Sequence, residues 1–212
     1  VYVVRSFPFT SSLQSIQADL EAQTAYDGGD FPEAMDLALA AAVAADWRGG
    51  NTARVALVVA DAPPHAENYA ATVEAVRQAR AAGIQIYALA ASGVDPSAEY
   101  ILRAGAALTG ARYMFLTDDS GVGNAHAEPS TLCYQVTVLS KLISRVISSE
   151  IYGQRVEAAP EDVLRTVGNF SQGVCLSAPG NEESPVLPYV PTAVADGMYH
   201  PTTTASSPST DP

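Results

Sequence analysis

The sequence predicts an α/β fold, a doubly wound and mostly parallel sheet with helices on both faces. Three observations predict it. Short apolar runs alternate with longer segments of helical periodicity, so neighbouring strands are joined by helical crossovers. One run, Val55-Ala56-Leu57-Val58-Val59-Ala60, is nearly continuous, as in strands covered on both faces. The helical segments carry start and stop residues at the expected places.

In chain order, "VYVVRSF" reads as a strand. "SSLQSIQADLEAQTA" reads as a helix, with Leu13, Ile16, Gln17 and Leu20 at helical spacing and Ser12 as N-cap. "GGDFPEAMDLALAAAVAADW" is a glycine-rich turn and an alanine-rich helix with Pro32 in its first turn. "RVALVVAD" is the apolar strand. "AENYAATVEAVRQARAAG" is a helix stopped at Gly83, and "IQIYALAAS" a strand. "DPSAEYILRAGAALTG" is a helix with Asp95 as N-cap, Pro96 at its first position and Gly110 beyond its end. "ARYMFLTDD" is a strand, followed by the loop "SGVGNAHAEPSTLC". "YQVTVLSKLISRVISSEIYG" reads as one long helix, with Val136, Leu139, Leu142, Ile143 and Val146 on a stripe. Right-handed crossovers would place these helices on both faces of the sheet.

This organisation predicts a domain over residues 1–153, a C-terminal extension over 154–178 and a Pro/Ser/Thr-rich linker or disordered tail over 179–212. A proline-rich partner motif in that tail is the alternative. The chain opens on Val1 within an apolar run. We therefore expect the natural N-terminus, with any targeting signal, to lie upstream. No run of 18 or more apolar residues occurs, so no transmembrane segment is expected in this chain. The 11 Lys and Arg face 23 Asp and Glu, a net charge of -12. That surface repels phosphate backbones, which argues against a nucleic-acid partner and suits cations. Cys133 and Cys175 permit one disulfide or two buried thiols.

Common catalytic signatures are missing: no phosphate loop, no dinucleotide-binding glycine motif after a strand, no nucleophile elbow. A nucleophilic cysteine with His65 or His126 lacks local support. The carboxylates are more informative. In open α/β sheets, ligand loops gather at the carboxyl ends of the strands. Asp61 stands at one such end, and Asp118 and Asp119 at another. A hard cation such as Mg²⁺ takes oxygen ligands, keeps waters and needs only one or two carboxylates. Asp61 suits that role, while Asp-Ala-Pro-Pro is equally good turn chemistry. Upstream, Asp27, Asp30 and Glu33 surround Gly28-Gly29; they read either as a ligand loop or as a helix start, with Asp30 and Glu33 forming a capping box. The loop after Asp119 adds Asn124, His126 and Glu128; with Asp118 and Asp119 they read either as a structural loop satisfied by its own hydrogen bonds or as a secondary ligand set, whose spacing does not match an EF-hand. His65, after Pro-Pro, either packs its loop or supports Asp61.

Taken together, "GGDFPEAM", a long helix and "RVALVVADAPPH" resemble the von Willebrand factor type A domain family, in particular a bacterial secreted or envelope-associated branch. "IQIYALA", "AALTGARYMFLTDD" and the last helix fit its closing order of elements, so the resemblance covers residues 1–153. It implies a binding module, not an enzyme, outside the cell or on the periplasmic side of the envelope. Its ligand, a protein or another molecule, would offer a carboxylate or other oxygen to a Mg²⁺ in a metal-ion-dependent adhesion site. The resemblance implies Asp61 as the strand-end ligand of that site. Where a Thr-bearing loop is expected, this chain has Phe31 beside Asp30; Asp30 then substitutes, or the site is degraded. The Asp-x-Ser-x-Ser loop after the family's first strand is not in this chain. We expect that strand and loop to precede Val1, leaving the site incomplete and apolar sheet surface exposed. A metal-dependent hydrolase using Asp61, Asp118 and His126, and a metal-free interaction scaffold, are the alternatives.

Overall fold

A computed structural model describes residues 3–24, 29–120, 133–171 and 174–175. Asp27, Gly28, Asn124, His126, Glu128 and the 179–212 tail lie outside those residues. Among the described residues, the centre is a three-stranded parallel sheet, which makes the chain an α/β protein. Its strands are β1 (Arg54–Ala60), β2 (Ile84–Ala90) and β3 (Tyr113–Phe115), in the order β1-β2-β3. The crossovers are α3 (Tyr69–Ala81) and α4 (Pro96–Leu108). Helix α4 starts as expected: the Asp95 carboxylate accepts the Ser97 N–H at 2.7 Å and the Ala98 N–H at 3.3 Å. Gly83 and Gly110 take the positive φ that ends these helices without a Cβ clash (67° and 73°).

Strand β2 is buried along its whole length, and its side chains alternate between two apolar clusters. Ile84, Ile86, Ala88 and Ala90 pack with α2 (Met35–Val43), α3 and α4 through Leu39, Val76, Leu102 and Ala106. Tyr87 and Leu89 pack with Met114 and with Val146 of α5 (Leu139–Tyr152). Each fully buried aliphatic side chain contributes roughly 1.5–3 kcal/mol.

Several expectations need correction. "VYVVRSF" forms no strand over residues 3–7, and Val3 is exposed. Val1-Tyr2 lies outside the described residues. The first helix, α1 (Leu13–Glu21), does form behind its Ser12 cap, but buries none of its residues, and Leu13 and Leu20 face solvent. Pro32 and Glu33 precede α2 instead of opening it, because Glu33 is bridged to Pro64; no capping box forms. Strand β1 is only partly covered on its second face: Val55 packs against the Tyr87 cluster, but Leu57 and Val59 are 41% and 61% exposed at the sheet edge. The long helix predicted from Tyr134 begins five residues later. Tyr134–Thr137 is instead strand β4, where alternating Tyr134 and Val136 are buried. A period-2 pattern of four residues merged with the helical stripe that follows it.

Strand β4 pairs antiparallel with β5 (Val163–Val167), and β6 (Phe170–Ser171) pairs with β7 (Val174–Cys175). A Cys133–Cys175 disulfide closes this unit, so neither sulfur is a free nucleophile. The Val156 N–H reaches the Ser149 hydroxyl of α5 at 2.9 Å, tying the extension to the helix.

Two outcomes follow. Asp95→Ala should cost about 0.5–2 kcal/mol in chemical denaturation, the usual loss for an N-cap carboxylate. Cys133→Ser/Cys175→Ser should cost about 2–4 kcal/mol by freeing a 42-residue separation in the unfolded chain, read as a lower denaturation midpoint.

Candidate functional site

Strand β1 ends at Ala60, and Asp61 stands just beyond it, exposed. A parallel neighbour holds it there. The Ala91 N–H donates to the Ala60 carbonyl, and the Asp95 N–H donates to the Asp61 carbonyl at 2.8 Å. The loop after β2 is thereby tied to the loop after β1. The diglycine loop joins them from the other direction: the Glu33 N–H donates to the Pro63 carbonyl at 2.8 Å, and Glu33 bridges Pro64 in parallel fashion. Prolines 63 and 64 offer carbonyls but no N–H, so Pro63 can serve here only as acceptor. The His65 imidazole lies 3.6 Å from the Asp30 carboxylate, an ion pair when the ring is protonated. Both side chains are partly exposed, so the pair contributes little to stability.

Three loops therefore meet at the carboxyl edge of the sheet, carrying Asp30, Asp61 and His65. The Asp95 carboxylate is there too, committed to capping α4. Sequence reasoning did not single out Asp36, which is buried in the first turn of α2 with one carboxylate oxygen lacking a hydrogen-bond partner. The helix N-terminus favours its negative charge. Its signal was a lone carboxylate in an otherwise apolar helical run.

Among the described residues, no three His, Cys, Asp or Glu side chains converge in metal-binding range. Phe31 is 60% exposed and offers no oxygen ligand. The donors present suit only an ion that keeps most of its waters, as Mg²⁺ commonly does, with Asp61 as the open carboxylate.

The second acidic loop follows β3, whose end is level with those of β1 and β2. Asp118 and Asp119 form a short 3₁₀ turn two residues beyond β3. The Asp119 carboxylate accepts from the Arg165 guanidinium at 2.9 and 3.2 Å and from the Thr117 hydroxyl at 3.1 Å. It thus links the sheet to β5. No family model matches this chain, and no curated protein or solved structure matches it either.

The hydrogen bonds from Arg165 hold the Asp119 carboxyl below its ordinary pKa. A carboxylate with a depressed folded pKa adds stability above its unfolded value, and loses it as pH falls through the folded one. An NMR titration should place the Asp119 midpoint below about 3.9, and Arg165→Met should raise it.

Proposed function

We propose that this chain is a binding module of the von Willebrand factor A type, doubly wound, which captures its ligand on the loops at the carboxyl edge of the sheet. The observation that carries the reading is the junction of two loops far apart in sequence. "GGDFPE" and "DAPPH", the stretches on which the resemblance rests, lie against each other through Glu33–Pro63 and Asp30–His65. The parallel order β1-β2-β3, with α5 packed on the face of β2 opposite α3 and α4, is consistent with doubly wound topology.

In the metal-dependent form, Asp61 holds a hydrated Mg²⁺ and Asp30 stands by as the second carboxylate. The ion, when bound, supplies positive charge to a carboxylate or other oxygen of a protein or small-molecule ligand. Binding here is electrostatic capture without turnover, so the module is not an enzyme. The Cys133–Cys175 disulfide supports a location outside the cell or in the envelope, since disulfides persist in oxidising compartments. Phe31 favours a second form: its exposed ring, in place of a hydroxyl ligand, suits a metal-free interaction scaffold.

A Mg²⁺ titration followed by melting temperature separates the two. The metal-dependent form expects stabilisation by about 2.7 kcal/mol at a hundredfold excess over Kd, abolished in Asp61→Ala and enhanced in Phe31→Thr. If neither the parent nor Phe31→Thr shifts, and Asp61→Ala is silent, the metal-free form stands.

A further inference from the structure

A cavity of about 670 Å³ lies between β3, the β4–β5 ladder and α5. Its size falls within the range of about 300–1,000 Å³ typical of small-molecule sites. It borders the Tyr87/Leu89 side of the sheet, away from the loops that meet at Asp61. Met114, Phe115, Val136, Leu142, Val146 and Phe170 give it apolar walls.

Its polar lining is unusual for so acidic a chain. Arg103, Arg112, Arg145 and Arg155 all border it, against a total of 11 Lys and Arg and a net charge of -12. Arg103 is paired with Glu99 at 2.6 Å, and Arg155 with Glu157. Arg145 differs. Its guanidinium donates to the Thr137 hydroxyl at 3.2 Å, and its Nε–H is buried without a partner, as are the Arg103 Nε–H and one terminal nitrogen of Arg155. Among the described residues, no carboxylate comes within ion-pair distance of it. Burial disfavours its charged form and lowers its pKa, with Glu157 and Asp162 opposing from further away. Arginine nevertheless stays protonated. Arg145 is half-buried; a partly desolvated cation is favoured by a closer counter-charge, and here the cavity gives one room.

We propose that this cavity binds a small amphipathic carboxylate, its carboxylate paired with Arg145 and its aliphatic or aromatic body against the apolar walls. The guanidinium fork matches a carboxylate in planar, bidentate geometry. The aromatic rings and aliphatic side chains bury the remainder. This site goes beyond the binding reading given above, and neither requires the other.

Decanoate is a suitable probe, with decanol and inorganic phosphate as controls, titrated into the full chain by calorimetry. Decanoate should bind and raise the melting temperature, while decanol and phosphate should bind at least about tenfold more weakly. Arg145→Met should lower decanoate affinity about 10- to 100-fold, the loss expected for a charge-assisted hydrogen bond. The variant should still fold, because Arg145 has no ion pair to lose among the described residues and Met keeps the packing of its aliphatic stem. The Arg145 Nε–H resonance of the parent gives a readout that needs no variant: it should move with decanoate and stay still with decanol. Equal binding of decanol and decanoate, undiminished binding by Arg145→Met, a resonance unmoved by decanoate, or no binding at all would each overturn the proposal.

Discussion

Everything described here hangs on the double-sided burial of β2. Seven residues, Ile84–Ala90, are buried on both faces, and the two-residue period of a strand sends alternate side chains to separate cores. One core fixes α2, α3 and α4, and the other fixes α5. The attachment is polar as well as apolar. The Ile86 N–H donates to the Thr109 hydroxyl at 3.0 Å, and that hydroxyl donates to the Gly105 carbonyl at 2.9 Å. A buried polar group near the end of α4 is thus satisfied by the same strand that α4 covers, as buried polar groups require.

With β2 in place, the ends of its neighbours are set by parallel register. Ala60 is opposite Ala90, and Ala90 is opposite Phe115. The three carboxyl ends are therefore level, and the residues that follow them share one edge. Asp61 is at that edge because the strand before it is paired, and Asp95 because its backbone N–H reaches the Asp61 carbonyl. The glycine-rich loop ahead of α2 is held to the same edge by backbone contact with Pro63 and Pro64, which proline carbonyls can make and proline nitrogens cannot.

Much of this was legible in the sequence. Helices α3 and α4 and strands β1 and β2 were visible because each has a single clean period and explicit punctuation at Gly83, Asp95 and Gly110. The misreadings share a physical cause: an apolar pattern reports the ability to be buried, not the presence of a partner. "VYVVRSF" has strand-like residues, yet residues 3–7 form no strand. Leu13, Ile16 and Leu20 are helically spaced, and α1 exposes them all. Leu57 and Val59 suggested a strand covered on both faces, and the second cover reaches Val55 but leaves these two exposed. Strand β4 escaped notice because its partner β5 lies about 30 residues downstream, and pairing over that distance leaves no local signal. At the site, position was legible in Asp61, whereas the contact of His65 with Asp30 is a tertiary fact that no spacing encodes.

The charges are sorted by the same architecture. An excess of acid covers the molecule, and carboxylates collect where the parallel strands end. Half of the ten arginines instead gather around α4, α5 and the β4–β5 ladder; among them Arg103 lies beside Tyr113, Arg145 beside Thr137, and Arg165 over Tyr134. Planar guanidinium groups tolerate aromatic neighbours and partial burial better than ammonium groups do, and ten of the eleven basic residues are arginine, by count of the chain. Tyr113 is half-buried in this region: burial, reinforced by Glu99, pushes its hydroxyl up to about 12, so it remains a donor to Glu99. In such surroundings one more charge is expensive unless it is paired at once. Asp119 is exposed, and by taking Arg165 it acts as a clasp between the loop after β3 and strand β5. Asp61, left open at the wet edge, is under no such constraint, and a carboxylate that the fold does not use for its own cohesion is the one free to meet a ligand.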